Sequence, residues 1–196
     1  MIKLKDILLE NDAPNIFLPR RTDDRLERYV KQFVKKGCIG NLILTSKGLK
    51  VLPKILKGVT IYGYFSCYFN ELTTLENSPA EAYGFFCDNN KLVSLEGGPK
   101  IVRGSFNCSN NNLVSLEGGP KIVTDNYICN NNKLTSLKGA PESVLNFDCI
   151  NNQLTSLEGI PKVINGSILL QKNPGDFTIE QVRKMSNVKK NVYLGL

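Results

Sequence analysis

The stretch SFNCSNNNLVSLEGGPKIVTDNYICNNNKLTSLKGAP, residues 105–141, states nearly the same phrase twice. In each copy an aromatic (Phe106, Tyr127) stands two residues before a cysteine (Cys108, Cys129). Asparagine follows three residues after the cysteine (Asn111, Asn132), and leucines follow at five and eight. Aligning outward on cysteine extends the register in both directions. The aromatic position holds Phe65, Phe85 and Phe147; the cysteine position holds Cys67, Cys87 and Cys149; the asparagine position holds Asn70, Asn90 and Asn152. Length varies only after the second leucine, where a Gly-x-Pro occurs at 97–99, 118–120, 139–141 and 159–161. A period of 20 to 21 residues with a constant strand and a variable connection is the signature of stacked rungs, each unable to close a core alone.

Each position has a physical task. The alternation Phe-x-Cys reads as a short strand with both side chains inward. The asparagine amide satisfies backbone groups that a sharp turn leaves unpaired, and repeated amides stack into a ladder. The two leucines fill the interior, and Gly-x-Pro bends the chain back. Weaker copies lie outside the clear ones: Leu42, Leu44, Leu49 and Leu52 keep register with Lys47 at the turn, and Ile168, Leu170 and Asn173 form another. Val188, Val192 and Leu194 repeat the spacing of Val102, Phe106 and Cys108. That predicts seven rungs and an eighth strand. The division is a leader and helical cap over 1–37, repeats over 38–174, and a C-terminal cap of helix and strand over 175–196, all in one structural domain.

The ends of such a stack need covers. TDDRLERYVKQFVKKG (22–37) supplies one, with Thr22 as N-cap, acids in the first turn and Gly37 at the end. Leu26, Tyr29, Val30, Phe33 and Val34 share one face of that helix. FTIEQVRKMS (177–186) supplies a shorter one. Ahead of the cap, MIKLKDILLE places Leu4, Ile7 and Leu8 on one helical face.

The motif resembles the leucine-rich repeat, through Val123, Tyr127, Cys129, Asn132 and Leu134, with an aromatic and a cysteine at two aliphatic positions. The length and the proline look like the short bacterial type, and the wording looks closest to repeat proteins of large tailed bacteriophages. The resemblance covers about residues 38–174. It implies a solenoid whose short parallel sheet lines a concave face, with irregular convex loops. It also implies a phage-encoded protein, in the host cytoplasm or in the virion. Internal head proteins of such phages resemble this chain at one further point: Leu8-Leu9-Glu10 matches their cleavage rule, which implies proteolysis after Glu10.

Composition narrows the function. The chain has no histidine, no glycine-rich phosphate loop and no nucleophile motif, and its cysteines fall on the inward face, so an enzyme is not expected. No CxxC pair occurs, so neither a metal site nor any cofactor is expected. No apolar run is long enough to span a bilayer, and the start does not read as a secretion signal. The net charge of +7 is uneven: residues 1–71 hold 13 Lys/Arg against 7 Asp/Glu, and residues 72–174 hold 8 against 9. The repeats are therefore near neutral. This disfavours nucleic acid, for which Arg20, Arg21, Arg25 and Arg28 would be the carriers. A protein partner is expected, with a self-assembling oligomer or a virion component as the other reading. Register places the candidate binding residues beside the inward Phe and Cys: Tyr64, Tyr68, Phe86, Asp88, Ile128, Ile150 and Leu169.

Overall fold

The computed structural model describes residues 22–195. The leader, Arg20, Arg21, the cleavage position after Glu10 and the side chain of Thr22 lie outside the described residues and side chains. Helix α1 (Thr22–Lys35) opens the fold and a 3-10 turn (Lys54–Leu56) packs against it. The strands of the main sheet are β1 (Leu42–Ile43), β2 (Thr60–Ser66), β3 (Glu81–Phe86), β5 (Phe106–Asn107), β7 (Tyr127–Ile128), β9 (Phe147–Asp148), β11 (Ile168–Leu169) and β13 (Val192–Tyr193). They pair in that order, all parallel. A second line of short strands runs one step upstream: β4 (Ile101–Val102), β6 (Ile122–Val123), β8 (Ser143–Val144), β10 (Val163–Ile164) and β12 (Asn187–Val188). Helix α2 (Ile179–Met185) sits before β12.

Register is as the cysteine alignment requires. Phe65, Phe85, Phe106, Tyr127 and Phe147 pair across the sheet, and all five are fully buried. Their ring centroids follow one another at 5.0, 5.8, 5.1 and 5.3 Å. Offset ring pairs at such distances add to plain burial. The five repeat cysteines are fully buried and form no disulfide. The weaker copies hold too: Val188 pairs with Ile164 and Val192 with Ile168.

Asparagine does more than turn the chain. Asn111 donates through Nδ2 to the carbonyls of Cys87, Cys108 and Ser109, each at 3.1 Å, and accepts from the Leu92 amide at 3.0 Å. Each such amide therefore ties its own rung to the one before it. Asn70, Asn90, Asn132, Asn152 and Asn173 make the same connections. The residue just before each of these asparagines is left-handed, with φ between 51° and 57°. Asn89, Asn110, Asn131 and Asn151 suit that conformation; Phe69 and Lys172 do not. At the opposite corner, Gly139 (φ +92) has no alternative, since a Cβ there would come 2.3 Å from the backbone of the preceding rung.

The caps close both ends by side-chain contacts. Val30 is fully buried on the first rungs, with Leu26, Phe33 and Val34 partly buried beside it, whereas Tyr29 is exposed at 36%. In α2, Thr178 and Gln181 form a reciprocal capping box. Arg183 donates to the carbonyls of Val188 and Lys190, both at 2.8 Å, which fastens the last strand.

One rung departs from the apolar stack. The Tyr127 hydroxyl is buried with no hydrogen-bond partner among the described residues. An unsatisfied buried hydroxyl costs about 1–3 kcal/mol. Tyr127→Phe is therefore expected to stabilise the protein by about 1 kcal/mol, a rise of roughly 2–4 °C in Tm by differential scanning calorimetry. A lower Tm would show that the hydroxyl does have a partner.

Candidate functional site

The strand-lined face carries three rows of outward side chains, and its two ends differ in kind. Toward the C-terminus the rows hold a run of mutually bonded polar side chains, although Gln171 Oε1 is buried without a partner among the described residues and Tyr193 on β13 is 43% exposed. Asn146 donates to Asn126 Oδ1 at 2.7 Å, Asn126 to the Ser105 hydroxyl at 3.3 Å, and Asn130 to Asp148 Oδ2 at 2.6 Å. Of the residues expected to bind a partner at this end, Ile128, Ile150 and Leu169 are only half exposed within this amide network. Ser66 and Ser109, which register also turns outward, are covered; Ser66 shares a hydrogen bond with Thr45 at 2.9 Å.

Toward the N-terminus the face is aromatic and open. Tyr64 is 42% exposed; its ring meets Tyr83 edge-on at 5.4 Å and Phe86 at 5.9 Å. Tyr68 packs edge-on against Phe69 at 5.4 Å. Glycines make the space: a Cβ at Gly84 would lie 2.6 Å from the Tyr64 ring, and one at Gly104 would lie 2.8 Å from the Tyr83 carbonyl and 3.3 Å from its ring. Asp88 closes this end of the row, half-buried; burial pushes its carboxyl above the usual carboxylate range, opposed by the Asn89 amide that donates to it at 2.7 Å.

Register alone missed the most exposed members. Tyr62 (70%), Tyr83 (52%), Phe69 (57%) and Ile39 (75%) stand on or beside this end of the sheet. Strands β2 and β3 are longer than the later strands, and β2 carries a register irregularity between Ile61 and Tyr64. On its other side Tyr62 is bridged to Ile39, in the same register that pairs Leu42 with Phe65. The available signal was the twice-occurring Tyr-Gly-aromatic-Phe, 62–65 in one rung and 83–86 in the next. Phe69 is the second missed feature: a bulky residue in a left-handed position, where four later rungs use asparagine.

The thiols offer no reactive group, because burial, reinforced by neighbouring charges, raises each repeat cysteine well above the ordinary thiol range. No described helix is long and apolar enough to cross a membrane.

Fold and register together define a leucine-rich-repeat-type solenoid with a parallel, strand-lined face. Among solved structures the chain is similar to a Shigella effector leucine-rich-repeat domain, with a TM-score of 0.59 and 20% identity over 96% of this chain and 94% of that one. No protein-family model and no curated protein matches the sequence.

Proposed function

We propose that this chain is a non-catalytic protein-binding module that takes a partner on its strand-lined face. The observation that carries this reading is the cluster of Tyr62, Tyr64, Phe69 and Tyr83. Each is 42% exposed or more, and they group at one end of a sheet whose middle rungs carry outward amides bonded to neighbouring polar side chains. Clustered exposed aromatics are the usual anchors of protein interfaces. The wording of the repeats favours a phage-encoded protein, free in the host cytoplasm or packaged in the virion.

Tyr68→Ala combined with Phe86→Ala tests the reading. Each side chain is outward and only half-buried, so the fold should survive, with the unfolding free energy lowered by about 1–3 kcal/mol. Capture of the bound protein from native-host or infected-cell lysate is expected to fall at least about tenfold. Undiminished capture by a folded double variant would overturn the proposal.

A further inference from the structure

The partner's chemistry can be read from what surrounds the aromatic end. From Arg28 to Asn70 the chain carries eight Lys/Arg and not one Asp or Glu. Several of these cations are placed against the aromatic strip by backbone bonds. Cys38 donates to the Phe33 carbonyl at 3.2 Å, and Tyr62 donates to the Cys38 carbonyl at 2.9 Å, so the helix end that carries exposed Lys35 and Lys36 runs directly into the Ile39–Tyr62 bridge. On the opposite margin, Lys47 donates its amide to Asn70 at 2.9 Å, which sets it beside Phe69. Arg103 lines the hollow between Tyr62 and Tyr83.

Glu81 pairs with Arg103, and Glu71 is held by Lys91 at 3.3 Å, so neither answers the lysines. Asp88, next to Phe69, accepts from the Asn89 amide and is the one acid on the Lys47 margin among the described residues. Lys35, Lys36 and Lys47 are exposed and have no ion-pair partner among the described residues.

We infer that this end of the face receives an acidic protein segment bearing aromatic or aliphatic side chains. The apolar anchors seat on Tyr62, Tyr64 and Tyr83 while carboxylates face Lys35, Lys36 and Lys47. This deepens the proposed function and rests on it. Opposed charges of this kind chiefly raise association rate and specificity. A second copy of the chain fits poorly, because it would bring the same uncompensated cations, on a protein of net charge +7, against these. Single-stranded nucleic acid fits less well too. The cations sit on two margins rather than along a backbone path, and Tyr64 is engaged edge-on by Tyr83 instead of leaving both rings free to stack.

The test is selection of short random peptides on the full chain. The selected pool is expected to be enriched in Asp and Glu together with Leu, Phe or Trp. Affinity of a synthetic peptide from that pool is expected to fall at least about tenfold in Lys35→Glu/Lys36→Glu/Lys47→Glu and, separately, in Tyr62→Ser/Tyr83→Ser. It is also expected to weaken steeply between about 0.05 and about 0.5 M salt. All these sites are exposed, so a matching urea midpoint certifies the fold of each variant. A pool without acidic bias that still loses binding in Tyr68→Ala/Phe86→Ala would overturn the acidic partner and leave strand-face binding standing. A pool indifferent to every face variant would overturn both. Oligothymidylate binding lost on the lysine reversals, or self-association lost on them, would replace the acidic segment with nucleic acid or a second copy.

Discussion

Asn111→Asp is expected to lower the unfolding free energy by about 4 kcal/mol or more, a large part of the 5–15 kcal/mol available to a typical domain. The substitution is isosteric, so packing does not decide the outcome. Hydrogen bonding does. The Asn111 Nδ2 faces three carbonyl oxygens at 3.1 Å, from Cys87, Cys108 and Ser109. Aspartate would set an acceptor against these acceptors. If ionised, it would keep a carboxylate out of water with only the Leu92 amide as donor; if protonated, it would offer one O–H where the amide offered two N–H groups. Each buried group left unpaired costs about 1–3 kcal/mol. Because the amide spans two rungs, the loss falls on the stacking between copies, which is where a solenoid's cooperativity resides.

The control is one residue away. Asn110 is exposed and left-handed (φ 53°), and its amide reaches only the Ser109 hydroxyl at 3.4 Å. Aspartate tolerates that conformation, so Asn110→Asp should change stability by less than about 1 kcal/mol. Urea unfolding followed by circular dichroism compares the two directly. Midpoints that coincide would mean the asparagine ladder is incidental to the fold.

Why the interior was legible in the sequence and the exposed aromatic end was not follows from the same periodicity. Phe106, Cys108, Asn111, Leu113 and Leu116 recur because every rung meets the same geometric demand, so one alignment locates them all. Their pairing in the sheet and burial agree with it. The outward rows obey no such demand, and register gives only their direction. It could not tell that Asn126 and Asn146 satisfy each other, or that Ile128 and Ile150 lie half-covered among amides. Tyr62 and Tyr83 fall upstream of the recurring core, where β2 shifts register, so aligning on cysteine passes over them. The second strand line through Val102, Val123, Val144 and Ile164 was likewise legible only in part, since its spacing to the aromatic changes where rungs of 20 and 21 residues alternate. Irregularity hid the aromatic end because that end is where the repeat is broken.

Alkaline pH should unfold this protein steeply, and the cause is the cysteine stack. Burial raises the thiols of Cys67, Cys87, Cys108, Cys129 and Cys149 far above the ordinary value of about 8.5–9 that they recover on unfolding. A group whose folded pKa is raised holds its proton longer in the native state than in the unfolded one. Its contribution is complete below about pH 9 and is lost as pH climbs from there toward the folded value. Each thiol then costs up to about 1.4 kcal/mol per pH unit, so five acting together approach about 7 kcal/mol per unit. One to two units above pH 9 would exhaust the stability of a typical domain. Urea titrations at intervals through this window measure the slope directly. Cys108→Ala removes one of five contributors and should flatten it by about a fifth, whatever the variant does to stability at neutral pH. Thiol labelling gives an independent check. Cys38, 6% exposed beside the N-terminal cap, should react first. The five inner thiols should react together at the rate of global opening, at least about a thousandfold slower than in urea. Stability that is flat through this window, or inner thiols that label one by one, would mean the rungs open separately and the sulfurs do not form one continuous interior.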